Sequence, residues 1–385
     1  QIKMKKIALG FLVAIIVFSC VKKETGSTLE NYVPETPELT SDIMSPEVLW
    51  SFGRIGGAEV SPDGKTVLYT VSYYNIEENK SYRDIYTISV SGGKAKNITN
   101  SGAKEFNAVW RPDGKKIGYL SSVSGSVQLW EMDANGRGAK QISEIEGGIS
   151  GFKYSPDQSK LFYLKSVKLD ENVQDLFPDL PKTNARLETD LMYRHWDTWH
   201  DYTYNHIFVA VYSKGKIGEG KDILEGEKFD SPMKPFGGTE QIAWSPDGKT
   251  LAYTCKKKVG KEYSVSTNSE IYLYNIETGK TINFTSGMMG YDQNPVFSPD
   301  GKMLAWESME RDGYEADKNR LFIADLETGE KEDFTIEFDQ NVHGLNWSGD
   351  GKSIYFISNR HATDEIYRLD LADGSIARIT NGIHN

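Results

Sequence analysis

Short apolar runs alternate with polar turns along most of the chain, and one turn pattern recurs six times. Every copy has an aspartate at its third position, and three copies read Ser-Pro-Asp-Gly-Lys. The copies are Ser61–Lys65, Arg111–Lys115, Ser155–Ser159, Ser245–Lys249, Ser298–Lys302 and Ser348–Lys352. Proline presets φ and glycine accepts the left-handed conformation, so the chain can reverse tightly between two strands. Each turn therefore predicts a β-hairpin.

The residues around each turn are strand formers. Gln241–Trp244 enters the fourth turn and Leu251–Thr254 leaves it, and both runs are rich in apolar or aromatic residues. A second hairpin follows in most repeats, at Ile85–Thr99, Leu129–Ile142, Ile271–Thr285, Leu321–Thr335 and Ile366–Thr380. Two hairpins make a four-stranded sheet, and a repeat of about 40 to 50 residues is typical of propeller blades. The sequence predicts an all-β fold, a β-propeller of four-stranded blades with six repeats of an expected seven.

The amino-acid composition argues against several classes of fold, partner and cofactor. The 36 glycines and 13 prolines interrupt every repeat and argue against a helical architecture. The net charge of −11 over 385 residues argues against a nucleic-acid partner, because phosphate binding needs clustered lysine and arginine. Neither a phosphate-cradling glycine loop nor a calcium-loop pattern is present, and we predict no cofactor.

The amino-terminal segment differs from the repeats. Met4-Lys5-Lys6 precedes an apolar run from Ile7 to Phe18, which is too short to span a bilayer but suits a secretory signal. We predict a signal peptide at residues 1–19 and, because the run ends like a bacterial lipobox, lipidation of Cys20. Simple cleavage and a short retained anchor are alternatives.

Residues 20–45 are polar and predict a flexible tether ahead of a propeller domain at 46–385. We therefore expect a periplasmic or cell-envelope protein that meets the membrane only through a lipid or signal anchor. The other cysteine, Cys255, ends a strand-like run and is expected to be a buried small apolar residue.

The third repeat contains an insertion at about residues 168–230, where the pattern of the other repeats is lost. Its segment Asp190–Asp201 holds three aromatic residues, two histidines and three carboxylates. Loops on a rigid scaffold often carry binding groups. One interpretation is a small apolar cluster that holds the insertion on its blade. Another is a substrate cavity in which carboxylates such as Asp197 or Asp201 pair with a cationic group. Both can hold at once.

Two other kinds of site are not supported by the residue spacing. His195, His200 and His206 do not match a zinc pattern, so we predict no metal site. Ser150 lacks the second glycine of a nucleophile elbow and precedes a strand rather than a helix. We predict no catalytic residue in this chain.

Four longer strings resemble the propeller half of the bacterial dipeptidyl-peptidase V enzymes, within the prolyl oligopeptidase family of serine peptidases. The strings are Asp190–Trp199, Tyr263–Tyr272, Gly287–Asp292 and Ser308–Glu315, and the resemblance runs from about Met44 to the last residue. The turns alone are also found in TolB-like propellers, so a complete envelope propeller that acts as a non-enzymatic binding scaffold is the alternative function.

The resemblance implies an enzyme of two parts, a propeller and an α/β-hydrolase domain that carries serine, aspartate and histidine in that order. The hydrolase domain is absent from the 385 residues, which we therefore expect to be part of a longer polypeptide. The implied activity is release of dipeptides from oligopeptide amino termini, and the propeller gates the substrate. The implied partners are peptide substrates and the missing hydrolase domain, and a homodimer is left open.

A dipeptidyl-peptidase must measure two residues from a free amino terminus, which calls for fixed carboxylates. Asp197 is the first candidate for this role, with the insertion residues Trp196, Trp199, Arg194 and His195 around it. The loop that carries Glu310 and Arg311 is the second candidate.

Overall fold

The computed structural model describes residues 32, 35, 37–39 and 41–383. The predicted signal peptide, Cys20 and most of the predicted tether lie outside these residues. Within the described part of the chain, the strands form six four-stranded antiparallel sheets and one two-stranded hairpin. The predicted all-β propeller of four-stranded blades is confirmed.

The first three blades follow one another along the chain. Their strands are β1 (Arg54–Val60), β2 (Thr66–Asn75), β3 (Lys80–Ser89) and β4 (Lys96–Asn97); β5 (Glu105–Trp110), β6 (Lys116–Ser121), β7 (Gln128–Asp133) and β8 (Lys140–Gln141); and β9 (Gly151–Tyr154), β10 (Lys160–Lys168), β13 (Thr203–Ser213) and β14 (Lys216–Asp222). The two-stranded hairpin lies between β10 and β13 and consists of β11 (Arg194–His195) and β12 (Thr198–Trp199).

The last three blades repeat the same order. Their strands are β15 (Ile242–Trp244), β16 (Thr250–Cys255), β17 (Glu270–Asn275) and β18 (Thr281–Asn283); β19 (Asp292–Phe297), β20 (Met303–Ser308), β21 (Arg320–Asp325) and β22 (Lys331–Asp333); and β23 (His343–Trp347), β24 (Ser353–Arg360), β25 (Thr363–Asp370) and β26 (Ile376–Arg378). The described residues also form three short helices, α1 (Pro46–Ser51), α2 (Val173–Leu176) and α3 (Gly260–Val265), and a 3-10 turn at Thr239–Gln241.

The six repeated turns join the first strand of each blade to the second. In five of them the serine hydroxyl donates to the aspartate two residues later, as Ser245 does to Asp247 at 2.6 Å. In the second blade Arg111 replaces the serine and donates to Asp113. Neighbouring turns also touch, since Gly301 lies against Pro246. The turns therefore line one face of the propeller, which we call the turn face.

A second local hydrogen-bond pattern recurs at the outer edge of five blades. A backbone N–H of the third strand donates to a hydroxyl 14 residues later, just after the fourth strand. The pairs are Ile85 and Thr99, Leu129 and Ser143, Ile271 and Thr285, Leu321 and Thr335, and Ile366 and Thr380. The third blade lacks this pair among its described bonds and closes with Ile223 N–H on the Ile207 carbonyl.

The core consists of apolar layers between neighbouring blades. Fully buried side chains in these layers include Trp306, Tyr253, Phe152, Phe162 and Phe356. Burying one such side chain contributes roughly 1.5–3 kcal/mol. Cys255 is buried in the layer between the third and fourth blades, as its apolar surroundings in the sequence predict.

The two end blades each keep one sheet face open. Tyr355, Ile357 and Ile366 are exposed on the sixth blade, and Ile55 and Val60 are exposed on the first. On β24 the alternate residues Ile354 and Phe356 are buried, so the strand has one packed and one open face. No helix of the described residues is long and apolar enough to cross a membrane.

The insertion is shorter than its sequence-based bounds of about 168–230. β13 and β14 lie inside that range but are the third and fourth strands of the blade, because β13 pairs with the whole length of β10, from Lys160↔Val211 to Lys168↔Thr203. The true insertion is residues 169–202. The sequence-based bounds are too wide because β13 follows no repeated turn, and it is recognised as a blade strand only by its pairing with β10.

Candidate functional site

The insertion joins β10 to β13 on the face opposite the turns, which we call the long-loop face. Antiparallel strands reverse at each connection, so every link between a second and a third strand lies on this face. The longest such links are residues 169–202 in the third blade, 256–269 in the fourth and 309–319 in the fifth. These three neighbours form the candidate site.

Asp170 anchors the base of the insertion to the third blade. Its carboxylate accepts hydrogen bonds from Lys228 Nζ at 2.6 Å, the Tyr204 hydroxyl at 2.7 Å and His200 Nε2 at 3.2 Å. Burial favours a higher pKa for Asp170, but these three donors outweigh it and the pKa is lowered. The insertion is thus tied to its blade by a charged group that stays ionised.

The hairpin Arg194–Trp199, which we call the insertion hairpin, carries five of the predicted site residues. Arg194 is paired with Trp199 and His195 with Thr198, while Trp196 has a φ of +50° in the turn. The Trp199 ring packs at 6.0 Å from Tyr193 and lies under two guanidinium groups, that of Arg194 at 5.2 Å and that of Arg186 at 5.3 Å. Aromatic and cation–π contacts within the insertion hold this hairpin together.

The tip of the insertion hairpin faces outwards. Trp196 is 68% exposed, and its ring contacts His195 and the Phe236 ring, whose centroid lies 5.2 Å away. Asp197 is exposed, and its carboxylate accepts a bond from Thr198 Oγ1 at 3.2 Å. No described cation lies within ion-pairing distance of Asp197, so its negative charge is available to a ligand.

An open groove of about 550 Å³ separates the insertion from α3, and we call it the hairpin groove. It is lined by Leu191, Met192, Tyr193, Arg194, Trp196 and Ser264. The Asp190 carboxylate lies beside Gly260 at the start of α3, which brings the two walls together. Three of the five predicted hairpin residues, His195, Asp197 and Trp199, are not among the lining residues.

The fourth-blade link is locked to the fifth-blade link by Asp312. The Asp312 carboxylate accepts hydrogen bonds from Ser266 Oγ at 2.6 Å, Thr267 N–H at 2.8 Å and Asn268 N–H at 3.2 Å. Burial works to raise the pKa of Asp312, but these bonds lower it overall. We call this arrangement the Asp312 clamp.

Glu310 and Arg311 lie on the same face but outside the hairpin groove. Arg311 is held within its own loop, where it forms an ion pair with Asp317 and covers the Tyr314 ring at 3.8 Å. Glu310 is exposed. The fifth-blade loop therefore reaches the site through the Asp312 clamp and not through these two side chains.

The three histidines of the sequence pattern have different partners. His195 packs on Trp196, His200 bonds Asp170, and buried His206 bonds Asp222 at 2.7 Å and the Glu227 carbonyl at 2.9 Å. Among the described residues, no group of three or more histidine, cysteine, aspartate or glutamate side chains could hold a metal ion. Asp201 accepts bonds from the Thr203 N–H and hydroxyl, and thus holds the start of β13.

Sequence reasoning missed the residues that depend on contacts between distant segments. Ser264 lines the groove from α3, and Asp170 anchors the insertion from across the third blade. Asp312 and Ser264 do lie in strings that carry the family resemblance, Ser308–Glu315 and Tyr263–Tyr272, which was the one available signal. No local pattern marks Asp170.

Comparison with known proteins agrees with the fold. The sequence profile of the TolB beta propeller domain matches residues 45–199 and 240–385. The chain is 45% identical over 352 residues to a dipeptidyl-peptidase 5 from Porphyromonas gingivalis, covering 91% of this chain and 51% of that protein. It is also 45% identical over 379 residues to a dipeptidyl-peptidase 5 from Porphyromonas endodontalis, covering 98% and 54%. The chain thus spans about half the length of these relatives.

A solved structure shares the architecture. The Pyrococcus horikoshii acylaminoacyl peptidase superposes with a TM-score of 0.64 at 16% identity, over 87% of this chain and 47% of that one. At this identity the similarity shows the fold alone. Together with the two relatives, it confirms the predicted resemblance to the propeller half of a prolyl oligopeptidase family enzyme.

Proposed function

We propose that this chain, which belongs to the TolB beta propeller domain family, is the substrate-gating propeller of a secreted serine exopeptidase that releases dipeptides from oligopeptide amino termini. The observation that carries the proposal is the 45% identity over 352 residues to a dipeptidyl-peptidase 5. The second relative matches 98% of the chain, so the insertion belongs to the shared region. Secretion is part of the proposal and rests on the apolar run near the amino terminus.

In this proposal the chemistry lies outside residues 1–385. A serine activated by histidine attacks the peptide carbonyl, and backbone N–H groups stabilise the oxyanion. The propeller contributes by admitting short or unfolded peptides and by holding their amino terminus. A fixed carboxylate that pairs with the α-ammonium would supply the two-residue measure, because a substrate without that charge leaves the carboxylate unpaired.

Asp197 fits the role of that carboxylate. It lies at the tip of the insertion hairpin, and Thr198 is the partner described for its carboxylate. The exposed rings of Trp196 and Trp199 stand on either side of it in the chain and can form an apolar wall for the first two substrate residues. A carboxylate beside aromatic rings suits a peptide ammonium group.

The test is Asp197→Asn in the polypeptide that carries both propeller and hydrolase domain. We expect kcat/KM for dipeptide release from free amino-terminal peptides to fall about 10- to 100-fold, because one charge-assisted contact is lost. The thermal midpoint should not change, since Asp197 is exposed. Asp179→Asn, an exposed insertion carboxylate away from the hairpin, is the matched control. Unchanged kinetics in Asp197→Asn would remove Asp197 from the proposal.

A non-enzymatic binding scaffold is the second candidate, and the match to the TolB beta propeller domain favours it. The same polypeptide separates the two. Absence of dipeptide release from every free amino-terminal peptide would favour the scaffold.

A further inference from the structure

The hairpin groove carries one formal positive charge. Of its six lining side chains, only Arg194 is ionic, and the others are apolar, aromatic or hydroxyl-bearing. The Ser264 hydroxyl is already engaged, because it donates to the Gly260 carbonyl at 3.3 Å. The polar chemistry that the groove offers a ligand is therefore mainly that of a guanidinium group.

Some arginines on this chain are paired with carboxylates. Arg111 pairs with Asp113 at 2.7 Å, and Arg320 lies 3.8 Å from Asp333. Arg194 is one of those with no described carboxylate within ion-pairing distance of the guanidinium. Its contact is with the face of the Trp199 ring. Stacking on a ring face leaves the N–H edges of a guanidinium free to donate.

The stacking also limits the motion of Arg194. Trp199 is held by Tyr193 and by Arg186, and Arg186 is fixed by a 2.8 Å bond from its Nη1 to the His200 carbonyl. A guanidinium positioned in this way loses less side-chain entropy when it binds, and its planar fork matches a carboxylate with two parallel bonds.

We propose that the hairpin groove binds a carboxylate of a peptide, with Arg194 as the recognising cation. The aliphatic side chains of Leu191 and Met192 and the ring of Tyr193 accommodate the apolar part of the same ligand. The proposal deepens the proposed function, and rests on it in taking the ligand to be a peptide. Asp197 at the hairpin tip and Arg194 in the groove then recognise opposite charges of one zwitterionic ligand.

Two sources can supply the carboxylate, an acidic side chain or the peptide carboxyl terminus. Three amino-blocked probes distinguish them by isothermal titration calorimetry with the full chain: acetyl-Gly-Glu-Gly-amide, acetyl-Gly-Gly-Gly with a free carboxyl terminus, and acetyl-Gly-Gln-Gly-amide. We expect one or both of the acidic probes to bind at least about tenfold more tightly than the glutamine probe, and the preference to weaken with salt. Which acidic probe binds more tightly identifies the source.

Variants test whether Arg194 causes the preference for the acidic probes. Arg194→Gln should remove this preference, and Arg194→Lys should keep part of it, because lysine has the charge but not the planar set of guanidinium donors. Arg137→Gln, an exposed arginine on a turn-face hairpin, should leave it unchanged. If no probe binds, if all three bind equally, or if Arg194→Gln keeps the preference, the proposal is wrong.

The amino-blocked probes keep this test apart from the proposed function. Acetylated peptides offer no free amino terminus, so their binding does not depend on dipeptide release. Failure of the proposed function would appear as absence of dipeptide release from unblocked peptides, whatever the calorimetry shows.

Discussion

Two sets of carboxyl groups, one at each face of the propeller, are held in opposite electrostatic states. On the turn face the aspartates of all six repeated turns have lowered pKa values, because a neighbouring hydroxyl or guanidinium donates to them. At the long-loop face, where the inner strands β5 and β19 begin, burial raises the pKa of Glu105 to about 7 and that of Asp292 to about 6. The same type of group is thus stabilised ionised in one place and neutral in the other.

The difference lies in how far apart the interacting residues are in the chain. The hydrogen-bond donors to a turn aspartate lie within two residues of it. Any repeat with the same turn residues therefore holds its aspartate in the same ionised state. Glu105 is 2% exposed, and its bonds come from Ser101 and from Ser121 at 3.4 Å on the neighbouring strand. Its Oε2 atom has no partner among the described residues. Burial by the assembled blades decides its state.

The largest effect is expected from Glu105→Gln. The pKa of Glu105 is raised above its unfolded value of 4.5, so its contribution to stability is full below pH 4.5 and is lost as the pH rises to about 7. One pKa unit corresponds to about 1.4 kcal/mol, so the neutral amide should raise the free energy of unfolding at pH 8 by about 3 kcal/mol.

Urea unfolding at pH 8 and pH 4 measures the difference in unfolding free energy between Glu105→Gln and the wild type. The stabilisation should be present at pH 8 and absent at pH 4. Asp292→Asn should also be stabilised at high pH and not at low pH. Its gain in unfolding free energy should appear between the unfolded pKa of 3.8 and the folded pKa of about 6. A variant that is equally stabilised at both pH values would show that burial of charge is not the cause.

A smaller effect is expected from Asp312→Ala, which breaks the Asp312 clamp. Three donors lose a charged acceptor, and we expect the free energy of unfolding to fall by about 2 kcal/mol. Hydrogen–deuterium exchange should speed up at residues 266–268, in the neighbouring blade.

The matched control is Asp325→Ala on the turn face. Asp325 accepts bonds from the Glu327 and Thr328 N–H groups of its own hairpin. Its loss should speed up exchange there and leave residues 266–268 protected. Faster exchange at 266–268 in both variants would contradict the view that turn-face contacts act only locally.

The smallest effect is expected from Asp157→Ala on the turn face. Bonds from Ser155 and Ser159 lower the pKa of Asp157 to about 2. Its contribution to stability is present above the unfolded value of 3.8 and is lost as the pH falls through about 2. At pH 7 we expect a loss of about 1 kcal/mol, because the group is exposed and its bonds are local.

The difference in unfolding free energy between wild type and Asp157→Ala should shrink below pH 3.8. Asp157→Asn, which keeps the acceptor oxygen, should lose less unfolding free energy at pH 7 than Asp157→Ala does. A difference that persists unchanged at pH 2 would mean that the ionised carboxylate is not what stabilises this turn.

Most of the fold could be predicted from the sequence, because its elements are local. The turn residues determine hairpins, and two hairpins determine a blade. The bounds of the insertion could not be predicted, since β13 is recognised as a blade strand only by its pairing with β10. The hydrogen bonds between residues 14 positions apart, such as Ile271 and Thr285, could have been predicted from the sequence, because their spacing is constant.

The candidate site was predictable only in part. The composition of Asp190–Asp201 marked the insertion hairpin, since aromatic rings and charges are dense there. It did not show that Arg194 lies in a groove while Asp197 lies at the tip. The opposite wall of that groove, Ser264, is far along the chain, and sequence spacing carries no information on such a contact.

The sequence by itself determined the blade repeat, the ionised turn aspartates and the position of the irregular repeat, because each depends on residues close together in the chain. Only the tertiary structure decided which carboxyl groups are buried neutral, which loops are clamped and that the Arg194 guanidinium lies in a groove without a described carboxylate partner. These properties depend on the distances between blades, and neighbouring blades contribute residues that are tens of positions apart.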